Sequence, residues 1–206
     1  MKTTKLLICA VATAAAFVAV AAQGQNFPAT LVGVSPGLAV TGTVDNGSFT
    51  QEYPSGVMHF TDFDAFCVEP TQAVSFGETL VYQVQDPSSL GNYDKIARLV
   101  GGYLSSSQTA ADAAAVQWAI WETTTETLSS PSLLDGNVRI STPVSQDTAA
   151  LANLYLAKLD TFSPATLTYL TNPTRQDIVT WSTVPEPGSA GLAALSALML
   201  LRRRRR

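Results

Sequence analysis

The sequence predicts an α+β fold: a β-sandwich or barrel-like body with a helical insertion of about three helices. Three observations predict it. Short apolar or alternating runs fill Phe27 to Gln85, separated by turn residues. Apolar residues then recur at helical spacing between Ile96 and Leu159. Strand-like runs return from Thr166 to Ser182. Strands, then helices, then strands within 206 residues point to one folded domain in which the helices interrupt the sheet.

The first β region offers Leu31 to Val34, Leu38 to Val44, Phe49 to Tyr53 and Val57 to Phe63 as strands. Pro36-Gly37, Asn46-Gly47 and Pro54-Ser55-Gly56 punctuate them, and Asn46-Gly47 is a hairpin signal. Ala65 to Glu69 and Thr79 to Gln85 continue the series. Ile96, Leu99, Val100 and Tyr103 mark a first helix, which Gly101-Gly102 is expected to end early or bend. Thr109 and Asp112 resemble a capping box for a second helix running to about Glu126. A Ser-, Pro- and Gly-containing loop spans Ser129 to Pro143. A third helix spans Gln146 to Leu159, with Leu151, Leu154 and Tyr155 as core positions. Thr166 to Leu170 and Asp177 to Ser182 are the last strands.

Both ends carry targeting patterns. Residues 1–22 place Lys2 and Lys5 before an apolar run that closes on small residues, the pattern of a secretory signal peptide cut after Ala21 or Ala22. Cys9 lies in that run and is expected to leave with it. Residues 184–206 hold Pro185-Glu186-Pro187, a short apolar helix and the run Arg202 to Arg206. The apolar segment is short for a durable anchor, and arginines beside it read as a cytoplasmic stop. This order resembles the PEP-CTERM sorting signal of Gram-negative bacteria. The resemblance implies a transient transmembrane helix at the inner membrane and cleavage by an exosortase-type membrane protease. It also implies a secreted product destined for the cell surface or extracellular matrix.

Between the ends, Gln23 to Pro187 keeps five cations against 16 carboxylates, a net charge of −11. That surface excludes nucleic acid and anionic lipid as expected partners. The same interval keeps one cysteine, Cys67. An odd cysteine in a secreted chain is a buried inert thiol, an intermolecular disulfide, a nucleophile or part of another cross-link.

Gln117 is the second unusual residue. Its helical neighbours Ala113, Ala114, Ile120 and Trp121 are apolar, which sets Gln117 within the buried stripe of the second helix. A buried amide without partners costs about 1–3 kcal/mol, so it must be bonded to backbone or put to chemical use. Paired with Cys67, it has a use. A thiolate attacks the amide carbon and expels ammonia, giving an internal thioester, provided the fold positions both groups and stabilises the oxyanion.

Phe66-Cys67-Val68 and Gln117-Trp118-Ala119-Ile120-Trp121 resemble the motifs of the thioester domains of bacterial surface adhesins. Gln117, Ala119, Ile120 and Trp121 match the family's glutamine motif, and Val116 stands where the family places Thr or Ser. The resemblance implies that residues 23–183 form a thioester-type domain with a Cys67–Gln117 cross-link. It implies adhesion by covalent attachment: an amine on a surface or matrix partner opens the thioester once per molecule, without turnover as an enzyme and without a cofactor. Trp118, Trp121 and Phe66 are candidates to shield the bond or to be ordinary core.

Three other readings stand beside this one. The chain fits a non-reactive structural component of the extracellular polymer or cell surface. His59, the only histidine, fits a thiol-enzyme pair with Cys67, though a structural histidine is the simpler assignment. Asp62, Asp64 and Glu69 lie close together but lack the spacing of a calcium loop, so no metal site is expected.

Overall fold

A computed structural model describes residues 25–44, 50–126, 131–141 and 145–181. The expected signal peptide, Asn46-Gly47 and the expected sorting signal, including Pro185, Glu186 and Pro187, lie outside the described residues. The described residues form seven strands: β1 (Asn26–Thr43), β2 (Gln51–Phe60), β3 (Asp64–Cys67), β4 (Thr79–Gln85), β5 (Arg139–Ile140), β6 (Thr168–Asn172) and β7 (Arg175–Thr180). Three α-helices, α1 (Tyr93–Ser105), α2 (Ala110–Thr125) and α3 (Gln146–Ala157), fall between β4 and β6. The fold is therefore α+β with a helical insertion.

The strand pairings run β2-β3-β7-β6-β4-β1 and return to β2, with every ladder antiparallel. The ring closes because β1 changes partner along its length. Asn26–Thr30 pairs with β4, and Leu31 to Gly42 pairs with β2. Closure removes the exposed edges that an open sheet would present. β5 adds a short bridge to the end of β1, opposite Gly42 and Thr43.

β1 is one strand where the sequence suggests two, and β2 likewise runs through Pro54-Ser55-Gly56. Pro36-Gly37 makes an irregularity in the β1–β2 ladder, not a turn. Gly37 pairs with Gly56, and a Cβ on Gly56 would lie 2.3 Å from the Pro36 carbonyl oxygen. The glycines let two backbones approach where any side chain would force them apart.

α1 passes through Gly101-Gly102 and continues to Ser105. Those glycines accommodate the segment after α3: a Cβ on Gly101 would lie 1.9 Å from the Ser163 carbonyl oxygen. A close approach, and not a helix stop, accounts for them.

α2 starts at the expected capping box, with the Thr109 hydroxyl accepting from the Asp112 N–H and Asp112 accepting from the Thr109 N–H. The Thr123–Thr125 run stays helical. Thr123 and Thr124 donate their hydroxyls to the Ala119 and Trp121 carbonyls, which satisfies these groups within the helix. Every residue from Ala113 to Thr123 is buried. α2 is thus a central helix covered on all sides by β1, β2, β3, α1 and α3, instead of an amphipathic helix with one buried stripe.

In α3 the core contacts are Thr148, Ala149, Ala152 and Tyr155. Leu154 is 46 % exposed and Leu151 only partly buried, so of the three expected core positions Tyr155 alone is deep. Small residues face α2 because they allow the closest approach of two helices, and the leucines turn outward.

Candidate functional site

Cys67 is the last residue of β3, and its neighbours in space follow from strand alternation. Phe66 points to one side, where its ring meets Tyr103 and Trp181 at centroid distances of 5.2 and 5.3 Å. Cys67 points to the other, toward α2. Phe66 and Trp118 do not line the cleft over the pair and belong to the core, whereas Trp121 lines it. The Trp118 indole N–H donates to the buried Ser55 hydroxyl at 2.9 Å. Val68, Ala119, Ile120 and Val116 are buried packing residues.

The β2–β3 ladder ends at Ala65, opposite Met58. Two residues on, the Gln117 side chain takes over the position a strand would occupy. The Cys67 N–H donates to Gln117 Oε1 at 3.0 Å, and Gln117 Nε2 donates to the Cys67 carbonyl at 2.8 Å. The primary amide behaves as one peptide group added to the sheet. It satisfies both orphan backbone groups of Cys67 and both of its own bonding ends.

The Cys67 sulfur donates to the Glu69 carbonyl at 3.2 Å. Burial pushes its pKa up to about 12, assisted by the negative charges of Glu69 and Asp177. The Trp121 indole N–H opposes this shift by facing the sulfur. Among the described residues that N–H has no hydrogen-bond partner, so it acts on the sulfur by proximity and not through a formed bond. At neutral pH the group is a thiol.

Cys67 and Gln117 are each only 2 % exposed, and Trp121 3 %. They form the floor of a cleft of about 490 Å³. One wall is the Pro70–Phe76 loop and the other comes from β1 and β2, with Gln176 of β7 completing the lining. None of these wall residues was legible as functional in the sequence. The loop carries no periodic pattern, and its place at the cleft follows from the β3–β4 connection lining the same space as Gln117 and Trp121 of α2.

His59 bonds to Asp64 through Nδ1 across the β2–β3 pair. It does not line the cleft over Cys67. Among the described residues no group of three or more His, Cys, Asp or Glu is placed to hold a metal ion, and no helix is long and apolar enough to cross a membrane.

A second buried polar centre lies five residues along α2. Glu122 has no exposed surface, and its Oε1 accepts the Ser132 N–H at 2.7 Å. Burial, with the nearby Glu126 and Asp135 charges, raises its pKa to about 7 despite that hydrogen bond. Among the described residues its other oxygen has no hydrogen-bond partner. No signal in the sequence marks Glu122, because its burial depends on the 132–138 loop folding over the helix end.

No family model, curated protein or solved structure matches this chain.

Proposed function

We propose that this is a secreted bacterial surface protein whose Cys67 and Gln117 form an internal thioester, which attaches the protein covalently to amines on a partner surface or matrix. One observation carries the reading: the Cys67 N–H donates to the Gln117 carbonyl oxygen at the floor of a cleft. Charge develops on that oxygen when sulfur attacks the amide carbon, so the donor is already aimed at the incipient oxyanion.

The chemistry balances within the pair. The Cys67 Sγ–Cδ bond of Gln117 forms and the Cδ–Nε2 bond breaks. The thiol proton accompanies the departing nitrogen, and ammonia leaves. An incoming amine then bonds to Cδ as the C–S bond breaks, and its proton goes to the sulfur. A thiol titrating near 12 is a reluctant nucleophile and an equally reluctant leaving group. That makes formation slow, which a single event per molecule tolerates, and it protects the resting bond from water.

The targeting patterns at the two ends complete the proposal. The chain passes through the secretory route, is held briefly at the inner membrane by its tail, and is processed by an exosortase-type protease.

A non-reactive structural role is favoured by a different aspect of the same geometry, since the Gln117 amide has a partner at both its oxygen and its nitrogen as it stands. Intact mass decides between the two. The thioester reading expects a native mass one ammonia below the calculated value, restored upward by methylamine with release of a free thiol. A Cys67→Ala control keeps its full mass. A full native mass with a titratable thiol overturns the thioester and leaves the structural role.

A further inference from the structure

We propose that the amine accepted by this cleft is carried on a sugar, as in a partly de-N-acetylated hexosamine polymer, and not on the side chain of a protein lysine. The inference rests on the thioester reading.

The walls argue for it first. Gln51, Gln72 and Gln176 line the cleft together with Tyr53 and Phe76, and the Gln72 amide nitrogen donates to Glu69 Oε1 at 2.8 Å, which leaves its carbonyl oxygen to accept. Phe76 is 63 % exposed. Amides both donate and accept, as sugar hydroxyls do, and flat rings cover the apolar faces of a pyranose. A lysine stem has four methylenes and nothing for these amides to bond. The cleft, at about 490 Å³, is of a size that takes a multi-ring ligand, far wider than a lysine stem fills.

Charge and proton balance argue for it second. Among the described residues, Glu52 is the only charged one lining the cleft, and no cation lines it. With a net charge of −11 over Gln23 to Pro187, the protein attracts a cationic polymer and repels an anionic one. An amine must be neutral to attack. Lysine titrates at about 10.4, so it arrives protonated and needs a base. The lining has no histidine, and the one histidine of the chain is engaged by Asp64. A hexosamine amine is flanked by electron-withdrawing oxygens and is a weaker base, so much of it is free base at neutral pH. It needs no help that this site lacks.

The test incubates the purified protein at pH 7 with de-N-acetylated chito-oligosaccharide, its fully acetylated counterpart, a lysine-bearing peptide and methylamine, and reads intact mass. The expected result is a covalent adduct with the de-N-acetylated oligomer at about one tenth of the amine concentration that methylamine or the peptide requires. The acetylated oligomer should give none. Gln51, exposed at the start of β2, provides a variant that threatens folding little. Gln51→Ala should narrow the preference for oligomer over methylamine. Equal or faster reaction of the lysine peptide overturns the sugar assignment and leaves the thioester intact. Full native mass with no adduct from any amine overturns both.

Discussion

The side chain of Gln117 is hydrogen-bonded at both ends to the backbone of a single residue, Cys67, at 3.0 and 2.8 Å. Helix α2 is thereby stitched to the end of β3 through the two residues proposed to react. The arrangement is specific in a way that packing alone is not: the amide plane, the carbonyl direction and the position of the sulfur are set together.

Gln117→Leu should be much more damaging than Cys67→Ala. Leucine leaves the buried N–H and carbonyl of Cys67 without partners, at about 1–3 kcal/mol each. Cys67→Ala keeps both hydrogen bonds and removes only a sulfur. Urea denaturation of each variant, against a non-cross-linked reference, should place Gln117→Leu at least about 2 kcal/mol below Cys67→Ala. Equal losses would show that the amide pairing does not support the fold.

Trp121→Phe should slow opening of the thioester by methylamine. The indole N–H faces the sulfur and favours its anionic form, and phenylalanine lacks that donor. Among the described residues that N–H has no hydrogen-bond partner, so the effect should fall below that of a formed bond to a charged group, about 1 kcal/mol or roughly fivefold in rate. Release of the free thiol, followed with a chromogenic disulfide, measures it. An unchanged rate would assign Trp121 to packing alone.

Glu122 should make stability fall as pH rises. Its carboxyl titrates near 7 in the folded chain, above the ordinary value of 4.5. The folded state therefore holds a proton that the unfolded state releases. The stabilising contribution is fully present below 4.5 and is lost as pH rises through about 7. We expect about 2 kcal/mol, discounted for the polar surroundings of the carboxyl. Denaturation midpoints at pH 5 and 8 test it, and Glu122→Gln should flatten the difference. A wild-type midpoint that is level or rises with pH would contradict the assignment.

Gly101→Ala should destabilise strongly although alanine is the better helix former. The added methyl would lie 1.9 Å from the Ser163 carbonyl oxygen, so α1 and the segment after α3 must separate. A loss of about 2–4 kcal/mol is expected by thermal or urea unfolding. A gain, as helix propensity alone predicts, would mean the segment gives way freely.

Elements whose signals are local can be read from the chain directly. Strand runs, the capping box at Thr109, the change from two-residue to helical periodicity and the oddness of a polar Gln117 among apolar neighbours are properties of a few adjacent residues. They identified an α+β domain and picked out Cys67 and Gln117 as its two unusual residues. Features that depend on distant partners emerge only when the chain is folded. Pro54-Ser55-Gly56 reads as a turn until Gly37 pairs with Gly56, and Gly101-Gly102 reads as a helix stop until Ser163 packs against it. Leu154 reads as core until alanines take the contact with α2. The barrel closes because β1 changes partner after Thr30, a choice made by β2 and β4 and not by β1. The same holds for the site. Fifty residues separate Cys67 from Gln117, and their hydrogen bonds exist because β2 leaves β3 two residues early and α2 fills the vacancy. No local pattern records where one strand stops pairing, since that is set by the twist and closure of the whole ring.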